Sequence, residues 1–588
     1  MCRLRLSTLA CALLLVAPSG ASAEITERLE RALRSAGADD RVIVWVFFAD
    51  KGTQDLQKTA ATGLVSERAI ARRRNVLPEE RLVDATDLPL EESYIRQLTP
   101  YCLAIRQRSR WFNGVSLVAS ARDIATIAAL PFVREVELVA RFRRRQEEAV
   151  PPLGPALGKE TSTHALSYGP SFAQLNLMNV PAVHDAGNFA EGILVGVFDN
   201  GFRLPNHKAF DSLKILATRD FVDHKESVVP LNPNTAFGSH GVYTLSTIGG
   251  YAPGKLIGPA FKATYLLART ENDSSETPIE EDNWVAAMEW AESLGVQVTS
   301  TSLGYLDYDA PYASWTWQDM NGHTTVISRA ATMAARKGIV VVNAAGNEYS
   351  NANHNTLIAP ADADSIVTAG AVNPDGTRAG FSSVGPTTDN PPRIKPDVMA
   401  QGVAVYAASA VVPTNYAYNQ GTSVACPLTA GVASLLLKAR PGATPMMVLR
   451  SLRNTASRAS APDRFYGWGI VNAPSALRYL QGLDSNGNFV PTSFLLKQNY
   501  PNPFNMGTTL EYELPEPSTV SIHVYDILGR EVRTLLSGDQ PQGLRWVTWD
   551  GTDNNATVVA TGVYLARLEA HGASGVSSTT TRKMMLLR

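Results

Sequence analysis

Acyl transfer to a serine needs a hydroxyl, a base to take its proton, a group that holds and charges that base, and donors for the oxyanion. Residue types that fit these tasks occur in this sequence where strands end or helices begin. Ser423 lies in Gly421-Thr422-Ser423-Val424-Ala425-Cys426-Pro427, at the entry of a helix-like apolar run from Val424 to Leu437. Small neighbours let a substrate backbone approach the hydroxyl, and a helix N-terminus turns amide N–H groups and its positive dipole end toward developing negative charge. Asp199 closes GILVGVF ahead of Asn200-Gly201, His240 sits in Gly238-Ser239-His240-Gly241, and Asn347 ends VVVNAAGN. Singly, each has an ordinary structural reading: a helix cap for Ser423, an Asx turn for Asp199, a capping or surface histidine, and a turn asparagine. Jointly they supply every group the chemistry needs. Cys426 reads as a small buried residue packing the helix. A thiol-dependent enzyme would need a base near that sulfur, for which the sequence gives no evidence.

The elements that position these residues alternate between short apolar strands and helices from 170 to 482. GILVGVF, ATYLLAR, GVQVTSTSL, GIVVVNAA and SIVTAGAV are near-continuous apolar or small runs, as parallel strands covered on both faces require. NWVAAMEWAESLG puts Trp284, Ala287, Met288, Ala291 and Leu294 on one helical face. TTVISRAATMAARKG ends in Lys337 and a Gly338 suited to a left-handed position, and TPMMVLRSLRNTA offers Thr444 as N-cap and Pro445 as first helical residue. The fold class is α/β, a doubly wound parallel sheet, and such sheets place their chemistry at the carboxyl ends of strands.

The 588 residues are too many for one core. Residues 1–23 read as an export signal, with Arg3 and Arg5 before the apolar Leu9–Val16 run and an Ala21-Ser22-Ala23 cleavage site. Residues 24–150 read as a small α+β module, with RVIVWVFFADKG as a strand, DLQKTAATGLVSERAIARRRN as a helical stretch, and strand, helix, strand after Asn113-Gly114. Residues 151–169 read as an exposed linker where a protease would cut, and 483–489 as a second one. Residues 490–588 carry strands at short intervals, with Val520, Ile522 and Val524 alternating, as in an immunoglobulin-like β-sandwich. A net charge of −2 gives no bulk drive toward nucleic acid or anionic membranes, so no nucleic-acid partner is expected. The basic run Arg141–Arg145 reads as a solvated linker, and no stretch after the signal is long and apolar enough to span a bilayer. Cys102 and Cys426, the cysteines left after signal removal, fall in separate modules, so no structural disulfide is expected.

Asp199-Asn200-Gly201, Gly238-Ser239-His240-Gly241, Ser302-Leu303-Gly304, Ala344-Ala345-Gly346-Asn347 and Gly421 to Pro427 resemble, in order, the signature blocks of subtilisin-like (S8 family) serine proteases. The resemblance implies a secreted serine endopeptidase acting on protein or peptide substrates. In it Ser423 is the nucleophile, His240 the general base and then acid, and Asp199 the residue that orients the imidazole. Asn347 would donate its amide to the oxyanion beside the Ser423 N–H. Ser302, Leu303 and Gly304 would form one wall of the pocket before the scissile bond and Ala344, Ala345 and Gly346 the other, their backbones pairing with extended substrate. The resemblance also makes 24–150 a ferredoxin-like propeptide that inhibits its own enzyme until self-processing between about 143 and 165 (the alternative being a permanent accessory domain). Phe381-Ser382-Ser383 and Arg393 to Asp397 resemble scaffold blocks without chemistry.

The sequence departs from the family's pattern at Asn200, where Ser or Thr is usual, and at Tyr305, where many members have Gly. The first bears on the support of the Asp199 carboxylate and the second on pocket depth. No cofactor is required for the chemistry. The family often binds calcium in loops, but Asp362 and Asp364 form no ligand spacing and no metal site is assigned. QNYPNPFN, VYDILGREVRTL, WDGTD, TGVYLARL and KMMLLR resemble the C-terminal sorting domain of type IX secretion, which implies partnership with that machinery and passage from the periplasm of a Gram-negative-type bacterium to the medium or cell surface. A substrate-binding sandwich is the alternative for this domain, and a noncatalytic surface or adhesive protein with a decayed protease domain is the alternative for the whole chain.

Overall fold

The computed structural model describes residues 23–587 apart from 57–62, 140–163, 204–206, 233–237, 273–278, 307–313, 350–352, 411, 413, 483–490, 492, 500, 501, 503, 505 and 506. The signal stretch up to residue 22, the Arg141–Arg145 run, most of the first linker and the whole of the second therefore lie outside the described residues. The chain divides into two compact units, one within 1–59 and 88–139, the other within 60–87 and 140–588.

The first unit runs strand Arg41–Phe48, helix Glu92–Leu98, strands Ala104–Ser109 and Gly114–Ser120, helix Ile124–Ala128 and strand Val133–Leu138. Its sheet places Arg41–Phe48 between Val133–Leu138 and Gly114–Ser120, all antiparallel, with the short Glu24–Ile25 strand added in parallel at one edge. Val44, Val46 and Phe48 alternate into a core shared with Leu117, Ile124 and Ile127. Of the helical stretch expected across 55–75, the described part forms only Glu67–Arg73, and that helix belongs to the second unit.

The second unit is built on a seven-stranded sheet whose neighbours all pair in parallel. Across the sheet the strands are Val398–Gln401, Val367–Val372, Val340–Ala344, Val298–Thr301, Leu194–Asp199, Thr264–Arg269 and Lys214–Asp220. After Thr264–Arg269 the chain crosses over Leu194–Asp199 to Val298–Thr301, so the order reverses at the strand that ends in Asp199. That reversal opens a crevice at the strand's carboxyl end. The edge strand Lys214–Asp220 is largely solvent-facing, with Lys214, Ile215, Leu216 and Arg219 all exposed. Thr444 caps Pro445–Asn454 and Gly338 has a φ of 93°, both as expected from the sequence, and Thr325 caps helix Val326–Arg336.

The helix Thr422–Ala439 packs on the strands Val298–Thr301, Val340–Ala344 and Val367–Val372. It is 18 residues long with mean hydropathy 1.4, so against the expectation that no stretch after the signal is long and apolar enough to span a bilayer, this one is by length and composition, but nearly all of it is buried inside the protein. Pro427 lies within it. Its ring removes the N–H that would bond the Ser423 carbonyl one turn earlier. In the scaffold block before it, buried Lys395 lies 2.7 Å from Asp397, whose other oxygen meets Arg453.

Residues 495–586 form a sandwich of a three-stranded sheet, Leu495–Leu496, Thr508–Leu514 and Gly543–Trp549, and a four-stranded sheet, Glu531–Gln540, Ser518–Tyr525, Gly562–Gly572 and Ser577–Leu586. Val520, Ile522 and Val524 all point into its core with Trp549 and Leu568.

Candidate active site

Asp199 is the last residue of strand Leu194–Asp199 and His240 the second residue of helix Ser239–Gly249. Gly241 lets this helix approach the turn after Asp199: a Cβ there would overlap the Gly201 carbonyl oxygen. The approach brings His240 Nδ1 to 2.6 Å from Asp199 Oδ1, both groups buried. A carboxylate can only accept, so His240 carries its proton on Nδ1 and presents Nε2 as the basic nitrogen.

Asn200 does not leave the carboxylate unsupported. Its backbone N–H donates to Asp199 Oδ1 at 2.8 Å, and its side-chain oxygen accepts from the Gly241 N–H at 3.1 Å, stitching the turn to the helix. Buried Arg269 donates from Nε to the Asn200 carbonyl at 3.1 Å and is itself held by Asp220 and Asp223. The missing hydroxyl comes from Thr244, one turn after His240, whose Oγ1 donates to Asp199 Oδ2 at 2.9 Å. Its 3.2 Å approach to the Gly241 carbonyl is the weaker claim on a single proton, because the carboxylate is closer and charged. Thr244 was overlooked because it reads as one small residue in VYTLSTIGG; the signal was its spacing of four from His240, which puts both on one helical face. Thr244→Val is expected to lower kcat about tenfold, the effect of one hydrogen bond to a charged group, with little change in KM. Adding Asn200→Ser should return most of the loss. Steady-state kinetics of the two variants checks this.

Ser423 is the second residue of helix Thr422–Ala439 and is buried. This helix and the His240 helix pack against each other. Gly421, with φ 136°, turns the chain into the helix in a conformation that side-chain-bearing residues rarely adopt. The carbonyl of Ser423, released by Pro427, accepts the Ser302 hydroxyl at 2.7 Å, so Ser302 holds the backbone of the serine. Asn347 Oδ1 accepts from the Thr422 N–H at 2.9 Å and from the Thr422 hydroxyl at 3.0 Å. With its oxygen committed to Thr422, the amide is oriented and its other terminus is the donor NH2.

Cys426 is fully buried, 3.4 Å from the Thr301 carbonyl and 3.5 Å from that of Val342. Burial pushes its thiol up to about 12. A thiol so placed is not a nucleophile near neutrality. Iodoacetamide at pH 8 should therefore leave Cys426 of the folded protein unmodified, as peptide mass mapping would show.

The expected pocket walls lie side by side. Residues 302–304 follow strand Val298–Thr301, and 344–346 close strand Val340–Ala344. Their backbones are partly engaged already: the Leu303 carbonyl accepts from Asn343 at 3.1 Å, the Ala345 N–H donates to Ala369 at 2.9 Å, and the Gly346 N–H donates to the Thr422 hydroxyl at 3.2 Å. Ile358 lies against both walls, since a Cβ on Gly304 would come within 2.5 Å of its Cδ1 and one on Gly346 within 3.0 Å of its Cγ1. Sequence spacing gives no sign of Ile358, which reaches the walls from a separate loop. Tyr305 pairs through its backbone with Ala359, and its buried hydroxyl donates to the Glu271 carboxylate. Burial and the carboxylates of Glu271, Glu280 and Glu281 push that hydroxyl's pKa far above its ordinary value. The two oxygens of buried Asp362 accept from the Ser328 hydroxyl at 2.6 Å and the Gly322 N–H at 2.7 Å. Among the described residues no three His, Cys, Asp or Glu side chains are grouped to hold a metal ion.

Three family models match the chain: the subtilase family over 190–469, the Bacteroidota peptidase S8 propeptide domain over 43–151, and the FlgD Ig-like domain over 502–574. Subtilisin DY of Bacillus licheniformis is 30% identical over 302 residues, 51% of this chain and 96% of that protein. Subtilisin E of Bacillus subtilis strain 168 is 29% identical over 304 residues, 51% of this chain and 70% of that protein. A solved protease of Pseudoalteromonas arctica is similar at 22% identity and a TM-score of 0.42, covering 54% of this chain and 99% of that one. By the extent and identity of the match to subtilisin DY, this chain belongs to the subtilase family of serine peptidases and carries that family's propeptide domain.

Proposed function

We propose that this chain is the precursor of an exported endopeptidase that cuts peptide bonds through an acyl-enzyme on Ser423 and removes its own propeptide. The observation that carries the proposal is the 2.6 Å contact of His240 Nδ1 with Asp199, which fixes the tautomer that a general base beside a serine requires. His240 Nε2 takes the Ser423 proton as Oγ attacks the scissile carbonyl carbon. The oxyanion that forms accepts from the Asn347 NH2 and from the Ser423 N–H, in a helix first turn whose amides lack intrahelical acceptors. His240 then gives its proton to the leaving amine, and a water activated by the same nitrogen releases the acyl group. None of these steps uses a cofactor. Labelling with a fluorophosphonate followed by peptide mapping tests the reading: the adduct is expected on Ser423, and a protein that stays unlabelled after its propeptide is removed would overturn it.

Ile358 between the two walls favours a small apolar side chain before the scissile bond. Ile358→Ala is expected to raise kcat/KM for large aromatic residues at that position about tenfold relative to alanine, in line with the worth of a few methylenes in an apolar pocket. A peptide-library profile of the two proteins measures this ratio.

The N-terminal signal, cleavage of the precursor between about 143 and 165, and use of 490–588 as a sorting domain for type IX secretion to the medium or cell surface complete the proposal. The sequence blocks from QNYPNPFN to KMMLLR support the last of these. Deleting 490–588 should trap otherwise competent protease in the periplasm, and normal export of the truncated chain would refute the sorting role.

A further inference from the structure

Three neighbouring strands of the seven-stranded sheet end in a row of charged residues. Arg269 closes strand Thr264–Arg269 and is in register with Asp199 on one side and with Asp220 on the other. In-register residues of parallel strands share a face, and neighbouring strands lie about 4.8 Å apart, so the guanidinium emerges between two carboxylates. Arg269 and Asp220 are both buried. A buried ion pair is a weak source of stability, and the strand is otherwise made of Tyr265, Leu266, Leu267 and Ala268 after Thr264. Packing alone does not explain the charges.

Asp199 is already filled by His240 Nδ1, the Asn200 N–H and the Thr244 hydroxyl. Arg269 spreads its donors past it. Nε reaches the Asn200 carbonyl at 3.1 Å, one residue beyond Asp199, while Nη1 donates to Asp220 Oδ2 at 3.0 Å and to Asp223 Oδ2 at 2.6 Å. Its backbone is tied in the same two directions: the Thr270 N–H donates to the Asp199 carbonyl at 3.0 Å, and the Phe221 N–H to the Arg269 carbonyl at 2.9 Å. Asp220 Oδ1 accepts from the N–H groups of Val222 and Asp223, both at 2.9 Å, which curls the chain so that Asp223 also faces Arg269. Lys225 adds a second cation, 3.4 Å from Asp223 and 3.7 Å from Asp220, and its Nζ donates to the Val229 carbonyl at 2.8 Å. Burial would push the Asp223 carboxyl up, but Arg269 and Lys225 outweigh it and hold it below its ordinary value. The loop held in this way returns to the site. Its Val228 carbonyl accepts from the Phe202 N–H at 2.9 Å, and Pro230 lies against two glycines, since a Cβ on Gly201 would come within 2.8 Å of its Cγ and one on Gly238 within 3.0 Å. Gly201 belongs to the turn after Asp199, and Gly238 precedes the helix that carries His240.

We infer that Arg269 is a positioning residue for the Asp199–His240 pair: it clamps the Asn200 carbonyl and, through Asp220 and Asp223, the 220–230 loop, and so holds the turn that carries the carboxylate against the helix that carries the imidazole. The inference rests on the reading of Asp199 and His240 as catalytic. Arg269 acts through these groups and touches no reacting atom. Lysine is no substitute, because one ammonium on a flexible stem does not hold a carbonyl and two carboxylates in fixed directions.

The test compares the processed enzyme with its Arg269→Lys and Arg269→Met variants by melting temperature, steady-state kinetics and the rate at which a fluorophosphonate labels Ser423. Arg269→Lys keeps the charge and is expected to melt close to the unaltered enzyme, yet to show kcat and a labelling rate about thirtyfold lower with KM within about twofold, the worth of a hydrogen bond to a charged group. Arg269→Met should lose at least as much. A folded variant that works at the native rate would overturn the inference, and so would a loss confined to KM. Should Arg269→Met not fold, Arg269→Lys decides alone. A second readout needs neither processing nor activity: in the full-length Ser423→Ala chain, the low-field NMR resonance of the proton between His240 Nδ1 and Asp199 is expected to be sharp, and to broaden by exchange when Arg269→Lys is added. An unchanged resonance refutes the clamp. Native enzyme that takes no label, with a resonance that still responds to Arg269→Lys, would fault the reading of Ser423 and support the clamp.

Discussion

Asp199→Asn is expected to lower kcat by about 10⁴ at neutral pH while leaving KM and the folded structure nearly unchanged, the magnitude seen for the same exchange in another serine-protease triad. The carboxylate accepts three hydrogen bonds, from His240 Nδ1, the Asn200 N–H and the Thr244 hydroxyl. His240 and the Asn200 N–H share Oδ1 while Thr244 uses Oδ2, so an asparagine loses the acceptor on one side, and with its NH2 in the place of Oδ1 the ring must accept on Nδ1. The proton then sits on Nε2, where the base is needed. The loss should shrink as pH rises, because hydroxide can replace the missing base, whereas a variant that was merely unstable would lose more. A pH–rate profile of the variant from pH 6 to 10 separates the two, and a flat profile at native rate would remove Asp199 from the mechanism.

Ser423→Ala should reduce turnover by about 10⁶, a magnitude taken over from subtilisin itself. The precursor is expected to accumulate uncut, with its N-terminus near Glu24 after signal removal and its linker intact. Cys426, one turn along the helix, gives no rescue because its thiol is fully buried and its pKa lies at about 12. Appearance of the cut form in Ser423→Ala cells lacking other proteases would show that processing is done by another enzyme. Titration with a fluorophosphonate and gel analysis of the precursor read out both halves of the expectation.

What was legible in the sequence was local. The strands from GILVGVF to SIVTAGAV, the Thr444 cap and the inward alternation of Val520, Ile522 and Val524 depend on neighbours within a few residues, and the structure has them. The polar groups at strand ends were visible for the same reason: a turn or a helix start marks them. What was not legible came from pairings across the chain. Glu292 sits among residues expected to face water, and it is buried because two arginines more than two hundred positions away reach it. Ile358 lies against Gly304 and Gly346 from a loop whose sequence carries no periodicity. Asn200 looked like a weakness, and Thr244 makes up for it from another element. Strand Lys214–Asp220 is not legible because its apolar run is only Ile215 to Ala217, between Lys214 and the polar Thr218, Arg219 and Asp220, shorter than the runs that mark its neighbours.

Under the proposed export, helix Thr422–Ala439 carries a hazard on the way out of the cell. It is 18 residues long, about 27 Å by helical rise, with mean hydropathy 1.4, so an unfolded copy passing through a translocation channel resembles a segment that should stop there. Thr422, Ser423, Thr429, Ser434 and Lys438 dilute it, and Pro427 interrupts it. With the proposed export, Thr429→Leu/Ser434→Leu is expected to leave part of the chain in the membrane fraction, which carbonate extraction would detect.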